Sequence, residues 1–301
     1  MKTTVAVLQI CCEESPSANI AKIGEMARRA AADGARIILP PELFERPYFC
    51  KTQRAEFYRF ASTAAENPAV LAMQKLSAEL RLVIPTSFYE RAGNARFNSL
   101  ALVCGGEIAG IYRKAHIPDG PGYQEKFYFS PGDTGFRALP TFCGKIGAAI
   151  CWDQWFPEAA RAMALDGADI LLYPSAIGDE PHLTAANTGA NTPADSFAHW
   201  QNAMRGHAAA NIVSLAAANR IGEEEQKDAF GNIVQTRFYG GSFILDSRGE
   251  VVAQASRDSE ETIAAELDFA EDAKARATWG IFRDRRPDLY RALISLDGGA
   301  T

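Results

Sequence analysis

Residues that hold metals or cross-link small domains are scarce in this chain. Its 301 residues include four histidines and six cysteines, and the cysteines are scattered without a CxxC pair or a regular spacing. Neither an HExxH motif nor a paired-histidine spacing is present, so the sequence predicts no metal site and no disulfide framework. The N-terminus lacks the charged-then-apolar build of a signal peptide. These absences favour a reducing environment, and we expect a cytoplasmic protein.

Long apolar runs and an excess of positive charge are missing as well. No apolar stretch approaches the roughly 20 residues that a membrane-spanning helix needs, so no membrane partner is expected. The formal net charge is −6 and there is no basic stripe, which argues against binding to nucleic acid. With 47% hydrophobic residues, the chain can bury a large core. The expected partners are small molecules and further copies of the chain.

Apolar patterns predict alternating strands and helices along the chain. A buried strand over 3–10, a helix over 17–32 and a second strand over 35–39 form a βαβ beginning. Residues 97–103 and 107–113 predict a β-hairpin about a Gly-Gly turn.

The domain organisation is predicted to be simple. Because no composition shift or repeat marks a linker, we predict one α/β domain over residues 1–267 and a C-terminal tail over 268–301. The tail mixes aromatic residues with arginines. Such a segment packs either on its own domain or on a partner subunit, and we expect a subunit interface.

A cysteine stands where a predicted strand turns into a helix. The apolar run over 145–150 ends at Cys151, and residues 152–161 begin a helix. A thiol that faces the positive end of a helix dipole should have a lowered pKa and a larger share of nucleophilic thiolate. The alternative interpretation is a small buried apolar residue, as most unpaired cysteines are.

Two charged residues also follow predicted strands. Glu42 comes just after the strand over 35–39, and Lys114 follows the second strand of the hairpin. Since ligand sites in open α/β sheets gather at the carboxyl ends of strands, these two residues could converge with Cys151. A thiol nucleophile needs a base and an oxyanion donor, which a carboxylate and an ammonium group can provide.

The segments around these three residues resemble the signature blocks of the nitrilase superfamily of carbon–nitrogen hydrolases. The blocks read Pro41-Glu42-Leu43-Phe44, Tyr112-Arg113-Lys114-Ala115-His116 and Gly147-Ala148-Ala149-Ile150-Cys151-Trp152-Asp153. This resemblance implies a four-layer αββα sandwich of two mixed sheets flanked by helices. It also implies homo-oligomers built from dimers.

The same resemblance implies a catalytic triad of Glu42, Lys114 and Cys151. Glu42 would serve as general base toward the thiol, then as acid to the leaving ammonia and as base to water. Lys114 and the backbone N–H of Trp152 would hold the oxyanion, so neither a metal nor an organic cofactor is needed. A second glutamate, Glu125, matches the family residue that orients the lysine and substrate; an ion pair with the neighbouring Lys126 is the plain alternative.

Longer matches narrow the resemblance to one branch of the superfamily. Segments 116–136 and 150–161 are similar to the HIPDGPGYxEKFYFxPGDTGF and ICWDQWFPEAAR blocks of N-carbamoylputrescine amidases. This implies that a carbamoyl amine is hydrolysed to putrescine, carbon dioxide and ammonia. A β-ureidopropionase or another N-carbamoyl amino acid hydrolase is the alternative within this chemistry. An inactive scaffold member is another, which the presence of all three triad residue types disfavours.

The ammonium end of such a substrate needs a carboxylate or an aromatic cage. An acidic loop without arginine follows the strand predicted over 168–173. The resemblance assigns the amine contact to Glu180, with Asp179 beside it; a solvated acidic loop is the alternative. Further candidates for substrate contact are Tyr48, His116 and Trp152, although aromatic residues near loops also serve simple packing.

Overall fold

The computed structural model describes residues 2–179 and 195–299. The α-helices of these residues are α1 (Pro16–Ala32), α2 (Pro68–Leu80), α3 (Pro157–Leu165), α4 (Phe197–Asn211) and α5 (Phe269–Trp279). The strands are β1 (Lys2–Gln9), β2 (Ile37–Leu39), β3 (Val83–Ala92), β4 (Ala95–Cys104), β5 (Glu107–Arg113), β6 (Ala138–Thr141), β7 (Gly144–Ala148), β8 (Ile170–Pro174), β9 (Ser214–Ala218), β10 (Ile221–Lys227), β11 (Ile233–Tyr239), β12 (Phe243–Leu245), β13 (Val251–Gln254) and β14 (Glu261–Asp268).

Two six-stranded mixed sheets form the centre of the fold. The first sheet has the order β14-β1-β2-β3-β4-β5, with β1, β2 and β3 parallel and the other neighbours antiparallel. The second has the order β13-β12-β9-β8-β7-β6, with β7, β8 and β9 parallel. Strands β10 and β11 form a separate hairpin. The predicted α/β fold of two mixed sheets is confirmed.

Alternation along β1 shows how the layers are built. Ala6 and Leu8 pack in an apolar cluster with helices α1 and α2, whereas Val5 and Val7 belong to the cluster shared with the second sheet. Successive side chains of a strand point to opposite faces, so one strand serves both clusters. Met163 of α3 and buried side chains of α4 belong to the cluster that is shared with the second sheet. Helices therefore flank both sheets.

Helix α1 illustrates why the flanking helices form where they do. The Ser15 side chain accepts a hydrogen bond from the Ala18 backbone N–H, and Pro16 occupies the first helical position. Ile23, together with other small or apolar residues at helical spacing, faces the first sheet. Such a helix buries one face and leaves the other in water.

The structure differs from the sequence prediction at the hairpin β10–β11, which was not predicted. Strand β10 reads Ile-Gly-Glu-Glu-Glu-Gln-Lys, so it lacks the apolar alternation that indicates a strand. The predicted tail also begins with helix α5, in which Phe269 joins the core and Asp272 accepts a hydrogen bond from Ser214 at 2.7 Å. Residues 269–279 therefore pack on their own domain. None of the helices described could cross a membrane.

Candidate active site

Strand ends deliver the three predicted catalytic side chains to one buried place. Glu42 follows β2, Lys114 follows β5, and Cys151 follows β7 at the start of a short 3-10 turn. Both charged side chains are fully buried, and the cysteine is 6% exposed. Two of these strands belong to the first sheet and one to the second, so the site lies where strand ends of the two sheets meet.

Lys114 is the centre of the charged group. Its Nζ lies 2.9 Å from Glu42 Oε1 and 2.8 Å from Glu125 Oε2. Burial disfavours the charged ammonium, but the attraction of Glu125 and Glu42 more than offsets it and raises the pKa of Lys114 well above its ordinary value. The lysine is therefore a fixed positive charge, and Glu125 pairs with it.

The carboxylate of Glu42 is held through one oxygen only. Asn98 Nδ2 donates to Oε1 at 2.7 Å, and Lys114 shares the same oxygen. The other oxygen, Oε2, is buried with no hydrogen-bond partner among the described residues. An unpartnered buried carboxylate oxygen is unusual and leaves Glu42 free to accept a proton there.

Asn98 was missed by the sequence reasoning. It lies in the middle of β4 among side chains that are buried on both sides, and it is itself fully buried. A polar amide in such a strand needs partners, and this was the signal available in the sequence. Its backbone carbonyl also accepts from the Lys114 N–H at 2.8 Å.

Tyr48 is buried and contacts Glu125. Its hydroxyl donates to Glu125 Oε1 at 2.6 Å, and its fully buried ring lies 5.8 Å from the ring of Tyr123. Burial raises the pKa of Glu125 to about 7, an effect that the charge of Lys114 opposes. The second glutamate is thus poised to change its charge near neutral pH.

The expectation of a lowered thiol pKa at Cys151 is wrong. Burial raises the pKa of this thiol well above its ordinary value, the charge of Glu42 adds to the rise, and Lys114 only partly opposes it. The turn over Cys151–Trp155 is five residues of 3-10 helix, and α3 begins only at Pro157, so no long helix dipole points at the sulfur. The thiol therefore depends on a base for its activation.

The backbone at Cys151 is strained. Cys151 has φ of +41°, in the left-handed region that side chains other than glycine rarely adopt. Its Sγ lies 3.9 Å from the carbonyl oxygen of Ala176, to which the thiol donates. A turn of this kind points the sulfur away from the strand and toward Glu42 and Lys114, whose charges act on it.

The remaining predicted contacts lie around this group. Trp152 is 38% exposed and therefore stands at the surface beside Cys151. His116 does not join the charged group, because its Nδ1 lies 2.8 Å from an Asp153 oxygen and its ring stacks on Phe156 at 3.5 Å.

At the acidic loop, Asp179 is half-buried. Burial raises the pKa of Asp179, and Arg237 opposes the rise. Glu180 lies outside the described residues. Within those residues, no group of three His, Cys, Asp or Glu side chains is arranged to hold a metal ion.

Comparisons with known proteins agree with this geometry. The family model of carbon-nitrogen hydrolases matches residues 4–277. The chain is 51% identical over 298 residues to the N-carbamoylputrescine amidase of Arabidopsis thaliana, which covers 99% of this chain and 97% of the relative. It is also 48% identical over 291 residues to a citrullinase of Francisella tularensis, with 96% and 97% covered.

Solved structures give the same result. A carbon-nitrogen hydrolase from Helicobacter pylori G27 superposes with a TM-score of 0.88 at 36% identity and covers 98% of this chain and 99% of the other. The sequence motifs, the two-sheet fold and these matches all agree. The chain therefore belongs to the carbon-nitrogen hydrolase family of the nitrilase superfamily, as its sequence blocks predicted.

Proposed function

We propose that this protein hydrolyses N-carbamoylputrescine to putrescine, carbon dioxide and ammonia. The observation that supports a thiol hydrolase most directly is the buried group in which Lys114 joins two carboxylates while Glu42 keeps one oxygen free beside Cys151. For the substrate, support comes from the 51% identity to a relative named N-carbamoylputrescine amidase over nearly the whole chain.

The first half of the reaction forms a covalent intermediate. Because burial keeps the Cys151 thiol protonated at rest, Glu42 Oε2 takes its proton as Sγ attacks the carbamoyl carbon. The oxyanion that forms is stabilised by the Lys114 ammonium and by the Trp152 backbone N–H. Collapse of the tetrahedral species breaks the bond to the terminal nitrogen. Glu42 returns the proton, and ammonia leaves an S-carbamoyl enzyme.

The second half releases the enzyme. Glu42 takes a proton from water, whose oxygen attacks the same carbon, and Lys114 again stabilises the oxyanion. The C–S bond breaks, the proton returns to the sulfur, and a carbamate leaves that loses carbon dioxide to give the amine. In this mechanism, Glu125 holds Lys114 in position through two hydrogen bonds.

The two substrates that the names of the relatives suggest, N-carbamoylputrescine and citrulline, differ in charge. An acidic loop at Asp179 and Glu180 suits the free ammonium of N-carbamoylputrescine. A relative named citrullinase at 48% identity, and the charge of Arg237 acting on Asp179, favour citrulline as the second candidate. Citrulline carries a carboxylate as well as an ammonium group.

A panel assay tests this choice. Ammonia release would be measured with N-carbamoylputrescine, citrulline and N-carbamoyl-β-alanine under the same conditions. The proposal expects the highest kcat/KM with N-carbamoylputrescine and the lowest with the purely anionic compound. A kcat/KM for citrulline equal to or above that for N-carbamoylputrescine would transfer the proposal to the second candidate.

We also propose that the active form is a cytoplasmic homo-oligomer built from dimers. Helices α3 and α4 and the C-terminal residues enclose a groove of about 850 Å³, and apolar side chains such as Leu165 and Leu293 are exposed along it. A second copy of the chain would cover them. Light scattering should give at least twice the monomer mass, and Leu293→Glu should lower it. A wild-type monomer would contradict the assembly.

All six cysteines are free, which fits a reducing compartment.

A further inference from the structure

Asp153 lies two residues after the nucleophile, and we propose that it is a positioning residue that fixes the separation between Cys151 and Lys114. Its side chain is fully buried, so it acts through its neighbours and not on the substrate. Oδ2 accepts a hydrogen bond from the Ile150 backbone N–H at 3.1 Å. This bond closes the 3-10 turn in which Cys151 holds its strained conformation.

The same carboxylate holds the segment that carries the catalytic lysine. Tyr112 OH donates to Oδ2 of Asp153 at 2.6 Å, and the His116 backbone N–H donates to Oδ1 at 2.9 Å. The His116 ring nitrogen Nδ1 lies 2.8 Å from Oδ1 as well. Lys114 stands midway between these two residues, so both flanks of the lysine are tied to one side chain.

Such a tie matters because no strand pairing among the described residues joins the two sheets. Lys114 follows β5 of the first sheet, whereas Cys151 follows β7 of the second. No strand ladder in the described residues therefore sets the distance from ammonium to sulfur. Asp153 bridges the gap with hydrogen bonds to both segments.

The chemistry of the site suits a carboxylate better than an amide. Three donors converge on Asp153, the His116 ring nitrogen Nδ1 lies within hydrogen-bond distance as well, and a carboxylate accepts on both oxygens. An asparagine has only one acceptor oxygen, and its NH2 group, which is a donor, would face other donors. Burial and the negative charge of Asp153 raise the pKa of Tyr112 well above its ordinary value, which fits a tyrosine that keeps its proton and donates it to this carboxylate.

Two variants test the proposal, which rests on the proposed hydrolytic function. Tyr112→Phe removes the bond to Asp153, and with it the bond that the same hydroxyl accepts from the Ala115 backbone N–H at 3.2 Å, but leaves the turn of Cys151 closed. Asp153→Asn disturbs both ends. A misplacement of about 1 Å can cost roughly 100-fold in rate, so we expect kcat to fall about tenfold in Tyr112→Phe and about 100-fold in Asp153→Asn, with KM nearly unchanged. The double variant should be no slower than Asp153→Asn alone.

Tyr173→Phe is the matched control. Tyr173 is a fully buried tyrosine near Asp153, but its hydroxyl has no hydrogen-bond partner among the described residues. Its loss should leave kcat unchanged. Wild-type kcat in Tyr112→Phe, or the same fall in Tyr112→Phe and Tyr173→Phe, would overturn the proposal.

A readout independent of turnover is the alkylation of Cys151 by iodoacetamide, followed by peptide mass spectrometry. The charge of Lys114 lowers the pKa of the thiol, so a displaced lysine raises it. A rise of one pKa unit slows alkylation about tenfold at neutral pH. Slower alkylation in Tyr112→Phe, with Tyr173→Phe at the wild-type rate, supports the positioning role even if no carbamoyl substrate is turned over. Equal rates in all three proteins would overturn it.

Discussion

Glu42 Oε1 accepts from Lys114 Nζ at 2.9 Å, while the other oxygen of the same carboxylate has no hydrogen-bond partner among the described residues. One oxygen of Glu42 is thus held by hydrogen bonds, and the other is the proton acceptor of the proposed mechanism. The division gives the base a fixed direction, because a carboxylate held through one oxygen cannot turn freely. A thiol with a raised pKa can then lose its proton to this free oxygen at the moment of attack.

Asn98 should be needed for this direction. In Asn98→Ala, Glu42 loses the donor at 2.7 Å and the free oxygen is no longer held toward the thiol. We expect kcat to fall roughly tenfold to 100-fold, because the base stays in place and loses only part of its contribution of roughly 100-fold or more, with a small change in KM. Steady-state ammonia release measures both. Asn211→Ala is the control, since Asn211 is also buried but lies at the end of α4; an equal loss in both variants would refute the role of Asn98.

Activity should rise with pH through neutrality. Burial raises the pKa of Glu125 to about 7, so below that pH the carboxyl is protonated and holds Lys114 less firmly. We expect kcat/KM to increase with an apparent pKa of about 7 as Glu125 ionises. In Tyr48→Phe, the loss of the hydroxyl donor should move this limb to higher pH. A profile that is flat from pH 5 to about 8, or unmoved in the variant, would contradict this assignment.

The same group makes a contribution to stability with a definite sign. The folded-state pKa of Glu125 exceeds its ordinary value of 4.5, so folding takes up a proton between about 4.5 and about 7. Its contribution to the free energy of unfolding therefore declines as the pH rises through that window. Urea titrations of the wild type and of Glu125→Gln at several pH values should show that the decline is smaller in the variant. An equal decline in both would argue against a raised pKa.

Arg220 should be a main determinant of the fold around the catalytic base. Its Nη2 donates to the carbonyls of Glu42 and Leu43 at 2.7 and 3.0 Å, and its Nη1 donates to buried Glu224 at 2.8 Å. Arg220→Met leaves Glu224 with less compensation, so the free energy of unfolding should fall by about 3–5 kcal/mol. Chemical denaturation measures it. Arg248→Ala, which removes an exposed pair with Asp246, should stay near wild type; similar losses in both would contradict the account.

A change in the acidic loop should affect cationic substrates and not neutral ones. If Glu180 contacts the ammonium of the substrate, Glu180→Gln should raise KM for N-carbamoylputrescine about tenfold or more, the effect of losing a charge-assisted hydrogen bond. N-butylurea, which has no ammonium group, should be hydrolysed equally by both proteins. Asp179→Asn provides the comparison with the neighbouring carboxylate. Equal losses on the cationic and the neutral compound would speak against the contact.

Sequence reasoning reached the proposed catalytic side chains because they follow strands. Glu42 and Cys151 each come just after an apolar run, and parallel strand ends meet in space. The three-block resemblance then implied their roles. Such signals are local, so they can be read without knowing which distant segments pack together.

The supporting residues could not be predicted, because their partners are remote in sequence. Arg220 lies 178 positions from Glu42, and Asp153 lies 41 positions from Tyr112. The pKa of Cys151 was misjudged for the same reason: burial, which only the packed fold reveals, outweighs the local turn.

The central claim is that Cys151 forms a covalent S-carbamoyl intermediate. The measurement that tests it most directly is ammonia release from N-carbamoylputrescine by the wild type and by Cys151→Ala, combined with mass spectrometry of acid-quenched protein. We predict that the wild type releases ammonia and carries the carbamoyl adduct on Cys151, while Cys151→Ala does neither and keeps its thermal stability. Ammonia release by Cys151→Ala at the wild-type rate would contradict the account.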